Sequence, residues 1–249
     1  MNRSLNSLIG YTIGASDGEI GKVKEFYFDD KTWTIRYLIV ETGNWLSGRK
    51  VLIAAEMLLK PEWDKEIFRV NLSMEQVRNS PDIDTEQSVS RQEEIKWQRY
   101  YLHTSYWGNG FYEGGMPYYM HEVINDVPGK GLPQKSEHIS HLRSTGKVTG
   151  YNIMATDGII GEVKDFIVND ANWRIKFLVV DTGHWLPGKK VIISPKLIDE
   201  IDWATSEVSV KTSINHVKNS PEYNPAQPVS EDHEVHLHNY YSEFVTHIE

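Results

Sequence analysis

Short runs of β-branched, aliphatic and aromatic residues alternate along this chain with clusters of turn-forming polar residues, a pattern of strands joined by tight connections. Leu8 to Ile13 predicts a first strand. Ala15-Ser16-Asp17-Gly18 predicts a turn in which Gly18 supplies the positive φ of a tight hairpin. Ile20 to Phe28, Trp33 to Glu41, Lys50 to Ala54 and Glu66 to Leu72 predict further strands, separated by Asp29-Asp30-Lys31 and by the loop Gly43 to Gly48. The run Leu38-Ile39-Val40 is too continuous for a half-exposed strand and reads as one buried on both faces. Ser73-Met74-Glu75-Gln76 starts like a capped helix, with Ser73 placed to accept from a first-turn N–H, and Asn79-Ser80-Pro81 stops it. Several short strands, with turns every few residues and no helix long enough to cover a sheet, predict a small closed or nearly closed barrel. Closure removes the exposed edges that would otherwise aggregate.

The same pattern returns at a fixed spacing of 140 residues. Gly10-Tyr11, Asp17-Gly18, Ile20-Gly21, Val23-Lys24 and Trp33 recur as Gly150-Tyr151, Asp157-Gly158, Ile160-Gly161, Val163-Lys164 and Trp173. Positions 8 to 81 and 148 to 221 share 31 identities in 74 without an insertion, which settles two copies rather than one larger domain. The division predicted is residues 5–90 for the first domain, 91–144 for a connecting segment, 145–230 for the second domain and 231–249 for a C-terminal tail. Units this small bury only roughly 60% of the surface their unfolded chains expose, so each is expected to need support. The connecting segment carries Tyr100, Tyr101, Tyr106, Trp107, Phe111, Tyr112, Tyr118 and Tyr119 among glycines. Flexible linkers are poor in aromatics, so this stretch is expected to pack against a barrel or a second molecule. The more polar Asn125 to Ser144 reads as a mobile connection.

Composition narrows the chemistry. The absence of cysteine excludes disulfides, thiolate zinc sites and Cys nucleophiles. A net charge of −9 with no basic stripe repels a phosphate backbone, so no nucleic acid is expected as partner. No apolar run approaches the roughly 20 residues of a membrane span, and the first residues lack a signal-peptide core; a cytoplasmic protein is the expectation.

The strings Asp17-Gly18-Glu19-Ile20-Gly21-Lys22-Val23-Lys24-Glu25, Tyr37-Leu38-Ile39-Val40-Glu41-Thr42-Gly43 and Lys50-Val51-Leu52-Ile53 resemble the PRC-barrel family. So do Asp157-Gly158-Ile159-Ile160-Gly161-Glu162-Val163-Lys164-Asp165 and Leu178-Val179-Val180-Asp181-Thr182-Gly183. The module is named for the cytoplasmic domain of the photosynthetic reaction-centre H subunit. The resemblance implies an all-β protein of two small barrels in tandem, each with a short terminal helix. It also implies a docking or assembly role. The membrane helix of the H subunit and the extra N-terminal domain of ribosome-maturation factors have no counterpart in the pattern, so neither parent function transfers.

Candidate sites are few. Trp45 and Trp185 occupy matching Thr-Gly-x-Trp-Leu-x-Gly loops beside Arg49-Lys50 and Lys189-Lys190. Each reads as a plug for its barrel end or as an aromatic anchor for a partner. Tyr100, Tyr101, Tyr106, Trp107, Phe111 and Tyr112 complete the candidate interaction set. His138/His141 and His233/His236/His238 read as solvated histidines in loosely held segments, so no metal is expected. Asp17, Asp157, Asp30 and Asp170 read as turn formers. Neither a paired acid and base nor a Gly-x-Ser-x-Gly elbow is present, and no catalytic residue or cofactor is expected. The functional expectation is a non-enzymatic adaptor that binds protein partners, for instance of a membrane-associated or photosynthetic complex, with association into a homo-oligomer. Two alternatives stay open: a binder of an apolar quinone-like or pigment-like molecule between the barrels, and a factor associated with ribosomes or RNA.

Overall fold

The computed structural model describes residues 1–81, 83, 96, 97, 100, 141–183, 190–225 and 227–245. The first copy supplies β1 (Asn2–Ser4), β2 (Thr12–Gly14), β3 (Glu19–Asp29), β4 (Thr34–Thr42), β5 (Lys50–Ala54), β6 (Ile67–Arg69) and helix α1 (Met74–Arg78). The second supplies β7 (Leu142–Ser144), the one-turn α2 (Thr145–Val148), β8 (Asn152–Ala155), β9 (Gly158–Asn169), β10 (Arg174–Asp181), β11 (Lys190–Ile193), β12 (Ile198–Asp202), β13 (Glu207–Val210) and α3 (Ile214–Lys218). A longer helix, α4 (Glu231–Val245), follows.

Two compact units result, and neither is a run of consecutive sequence. The N-terminal unit comprises Gly10–Phe28 and Arg36–Arg143; the C-terminal unit comprises Met1–Ile9, Asp29–Ile35 and Ser144–Glu249. In the N-terminal unit β6, β2, β3, β4 and β5 are neighbours in that order, and β7 also pairs with β3. Ile13, Val23, Phe26, Phe28, Leu38, Ile53 and Phe68 fill its core and are fully buried. In the C-terminal unit the order is β12, β13, β8, β9, β10, β11, with Ile153, Val163, Phe166, Val180, Ile192 and Val208 inside. Burial of each such side chain stabilises by about 1.5–3 kcal/mol.

The sheets are mostly β as expected, but they are not closed into barrels. After β11 the chain turns through the 3-10 segment Pro195–Leu197, and after β5 through Ala55–Met57; these turns carry it around the corner without laddering β11 to β12 or β5 to β6. The first predicted strand is also shorter than expected. Asn6–Leu8 is a 3-10 turn, Gly10 takes φ 90°, and pairing starts only at Thr12. Gly18 does not take a left-handed conformation; a side chain there would collide with Met74. The glycine that the fold requires is Gly21, together with its counterpart Gly161, where a Cβ would run into the backbone carbonyl of Glu41 or Asp181 on the neighbouring strand.

The capped helix is present as predicted. Ser73 Oγ accepts from Gln76 N–H and Gln76 Oε1 accepts from Ser73 N–H, and Ser213 Oγ repeats the first half of that exchange with His216. Asp17 and Asp157 do more than turn the chain. Their carboxylates accept from Met74 N–H (2.7 Å) and Ile214 N–H (2.8 Å), holding the helix starts.

The segment read as a loose tail is helical. Ser230 Oγ accepts from His233 N–H at the start of α4, Leu237 and Tyr241 are buried four residues apart, and Glu234 pairs with Lys176 at 2.7 Å. Two apolar positions one turn apart are too thin a stripe to stand out in a polar sequence. A counterpart exists 140 residues earlier: Trp97 and Tyr100 are helical, Trp97 is buried edge-on against Tyr37, and the Tyr100 hydroxyl donates to Gln76 O as the Tyr240 hydroxyl does to His216 O. The duplication therefore runs past Pro81 to Tyr100 and Tyr240. It also begins earlier, with Arg3-Ser4 and Arg143-Ser144 in β1 and β7.

β1 docks on β9 in the C-terminal unit. Asn2, Arg3 and Ser4 face Asn169, Val168 and Ile167 in antiparallel register, Leu5 N–H donates to Phe166 O, and Leu5 and Leu8 are buried. Beneath the strand, Asp165 accepts from the Ser4 hydroxyl and from Asn6 N–H and Phe166 N–H. Burial pushes the Asp165 carboxyl above the usual carboxylate range, against the pull of those three donors. Asp170 goes the other way: burial disfavours its charge, but the ammonium of Met1 and the guanidinium of Arg3 (2.8 Å) outweigh it and lower the carboxyl. In the same unit the turn Asp29–Ile35 lies on the equivalent turn of the second copy, where Ile35 N–H donates to Trp173 O and Ile175 N–H to Trp33 O. Both tryptophans are left-handed, at φ 55° and 57°.

Gly21→Ala is expected to lose about 1–3 kcal/mol from forced overlap with the Glu41 carbonyl. Gly43→Ala, at φ −70° with an added Cβ in ordinary contact with Trp45 Cδ1 at 4.0 Å, should leave the melting temperature nearly unchanged. Thermal unfolding of the two variants checks this. Asp165→Asn keeps the hydrogen-bonding shape without the buried charge. Because the native carboxyl is raised above its unfolded value, the wild type binds a proton more readily when folded and loses stability as pH rises above the usual aspartate range. The melting temperature of Asp165→Asn minus that of the wild type should therefore be larger at neutral pH than at pH ~4; a difference that shrinks with rising pH contradicts the assignment.

Candidate functional site at the tryptophan loop

Trp45 lies in a 3-10 turn, Asn44–Leu46, between β4 and β5 of the N-terminal unit. The loop closes on itself through Thr42, whose hydroxyl donates to Arg49 O at 2.8 Å, and reverses through Ser47 and Gly48, both at positive φ. Trp45 Nε1 donates to Ile20 O at 2.6 Å, fixing the ring against β3 and leaving it half-buried. The guanidinium of Arg78, at the end of α1, lies 5.9 Å from the ring centroid, within cation–π range. Arg49 ties the loop to the same helix end: Nη1 donates to Arg78 O (3.1 Å) and Nη2 to Ser80 O (2.8 Å), in line with the preference for cations at a helix C-terminus. The result is an indole with one guanidinium over its ring, on a short, heavily bonded loop that Arg49 ties to the end of α1. Nearby Glu41 is held below the usual carboxylate range by a hydrogen bond from Lys24 and by its charge.

This constellation presents an aromatic face beside a guanidinium. It offers no general base beside a nucleophile, and among the described residues no three His, Cys, Asp or Glu side chains gather as a metal site would require. His233, His236 and His238 lie along α4. Of the other residues singled out in the sequence, Tyr100 is committed to its bond with Gln76 O, while Trp185, Tyr101, Tyr106, Trp107, Phe111 and Tyr112 lie outside the described residues. Arg78 and Ile20 were missed as parts of the site. Only the basic pair Arg49-Lys50 pointed to it, since Arg78 comes from a different element.

Against known families, the PRC-barrel domain model matches residues 2–67 and 145–219, more than half of the chain. The chain belongs to the PRC-barrel family. PRC-barrel domains are typically non-catalytic interaction modules. The first matched segment includes β1 and the second begins at Thr145, just after β7, so the family pattern is present in tandem. No curated protein matches this PRC-barrel chain. Among the described residues no helix is long and apolar enough to cross a membrane.

Arg49→Ala removes both bonds from the loop to the end of α1 and should cost about 1–2 kcal/mol, a drop of roughly 2–8 °C in melting temperature. Trp45→Phe, which keeps a ring under Arg78 and loses only the bond to Ile20 O, should cost less. Equal losses in a calorimetric comparison would show that the arginine does not anchor the loop.

Proposed function

We propose that this tandem PRC-barrel protein is a non-catalytic assembly module, and that the Trp45 loop of its N-terminal unit is a docking surface for a protein partner bearing acidic and aromatic side chains. The observation that carries the reading is the half-buried indole fixed by Ile20 O and covered by the Arg78 guanidinium, on a loop that Arg49 ties to the end of α1. Tryptophan and arginine dominate interface hot spots because each combines large apolar contact with fixed polar geometry. A ring already immobilised loses little rotamer freedom on binding, which favours affinity. Family membership supports the class of activity, and the partner's chemistry follows from the charge around the ring.

The test uses the full chain as bait against partners recovered from its native host and identified by mass spectrometry. Arg78 is exposed and its side chain makes no bond that holds α1, so Arg78→Glu should leave the melting temperature within about 2 °C of the wild type. The same substitution should weaken partner retention by at least about tenfold, and more steeply at low salt. Retention unchanged in both Arg78→Glu and Trp45→Ala would remove this loop from the interface.

A further inference from the structure

The two copies trade their leading strands. The C-terminal unit is completed by β1, which precedes the first copy, and the N-terminal unit contains Leu142 and Arg143 of β7, which precede the second. Both donors carry the same Arg-Ser pair, and both acceptors are the long second strand of their unit. An acceptor that takes its strand from far away in sequence recognises it by pairing and side chains, not by chain continuity. In the C-terminal unit that recognition is explicit: three register pairs with β9, Arg3 on Asp170, Ser4 and Asn6 on Asp165, Asn2 on Glu234, and Leu5 and Leu8 in the core.

We infer that β1 exchanges between molecules, so that Met1–Ile9 of one copy completes the C-terminal unit of a second copy and a closed, two-fold dimer forms. Every contact made by β1 within one chain is remade across two, so the exchange changes little besides the hinge and the concentration dependence. Two observations mark the hinge and the seat. Gly10, where the N-terminal unit begins, holds φ 90° while donating to Val23 O, as Gly150 does at φ 93° to Val163 O. Beside β1 a half-open pocket of about 190 Å³ is lined by Arg3, Ser4, Ser7, Ile167, Tyr223 and Val229. The occupant of the seat is a second copy of this chain, because its Arg3-Ser4 segment carries the donors that Asp170 and Asp165 accept from here. This exchange is independent of the Trp45 surface and survives its failure.

Full-length protein, warmed at high concentration and cooled, is examined by size-exclusion chromatography with light scattering. A species of twice 28.7 kDa, growing with concentration, is expected. In Gly10→Ala the added Cβ meets nothing within 4 Å, so the substitution penalises only the positive φ of the unexchanged hinge. It should raise the dimer-to-monomer constant about tenfold. A synthetic peptide with the sequence of residues 1–9, in excess during warming of the wild type, should return the population to monomer, and the same peptide with Arg3 and Ser4 replaced by alanine should not. Monomer alone in both wild type and Gly10→Ala at every concentration overturns the inference, as does a dimer that ignores the native peptide.

Discussion

The pairing of β1 with β9 over the buried carboxylate of Asp165 is the interaction on which the C-terminal unit depends. Three residues of ladder are a small seam, yet Leu5 and Leu8 follow them into the core and Asp165 finds two of its three donors there. Without β1, that carboxylate would keep only Phe166 N–H in an apolar setting, and a buried polar group stripped of partners costs more than the bonds contributed. The seam thus couples a backbone ladder, a charge and two core side chains in one segment nine residues long.

Around that constraint the copies have kept a common scaffold and changed its polar detail. Both use an aspartate from the first hairpin to hold the start of the short helix, and both close the far side with a tyrosine hydroxyl on a helix carbonyl. The first copy completes its cap with Gln76. The second has His216, which cannot reach back and instead stacks on Tyr240 at 4.4 Å, where burial lowers its imidazole below the usual range. The Trp45 loop is a connection on a rigid sheet, immobilised by bonds to β3 and to the end of α1.

The strands and the short helices were legible because their signals are local: β-branched runs, an Asp-Gly turn, a Ser-x-x-Gln box. The two-fold duplication was legible too, but its ends were not. Arg3-Ser4 and Tyr100-Tyr101 keep the 140-residue spacing, yet both are short islands beyond stretches that have diverged. Helix α4 was hidden because, among the described residues, Leu237 and Tyr241 are the ones it buries in a polar stretch, with Ser230 as its start signal. Closure was over-read for a different reason: strand number and turn spacing say nothing about whether the last strand meets the first, and here 3-10 turns after β5 and β11 leave the ends apart. The site itself was half legible. Trp45 and Arg49 are neighbours in sequence, whereas Ile20 and Arg78 reach the ring from β3 and α1, a juxtaposition that only tertiary structure creates.

The placement of β1 also governs when this protein can finish folding as it leaves the ribosome. Asn2 must wait for Asn169, and β3 must wait for β7, so neither unit is complete while only the first hundred residues have emerged. At roughly 5–20 residues per second the opening strand spends on the order of 10–30 s without its mate. Through that interval its apolar followers, Leu5 and Leu8, lack the core that buries them in the finished unit.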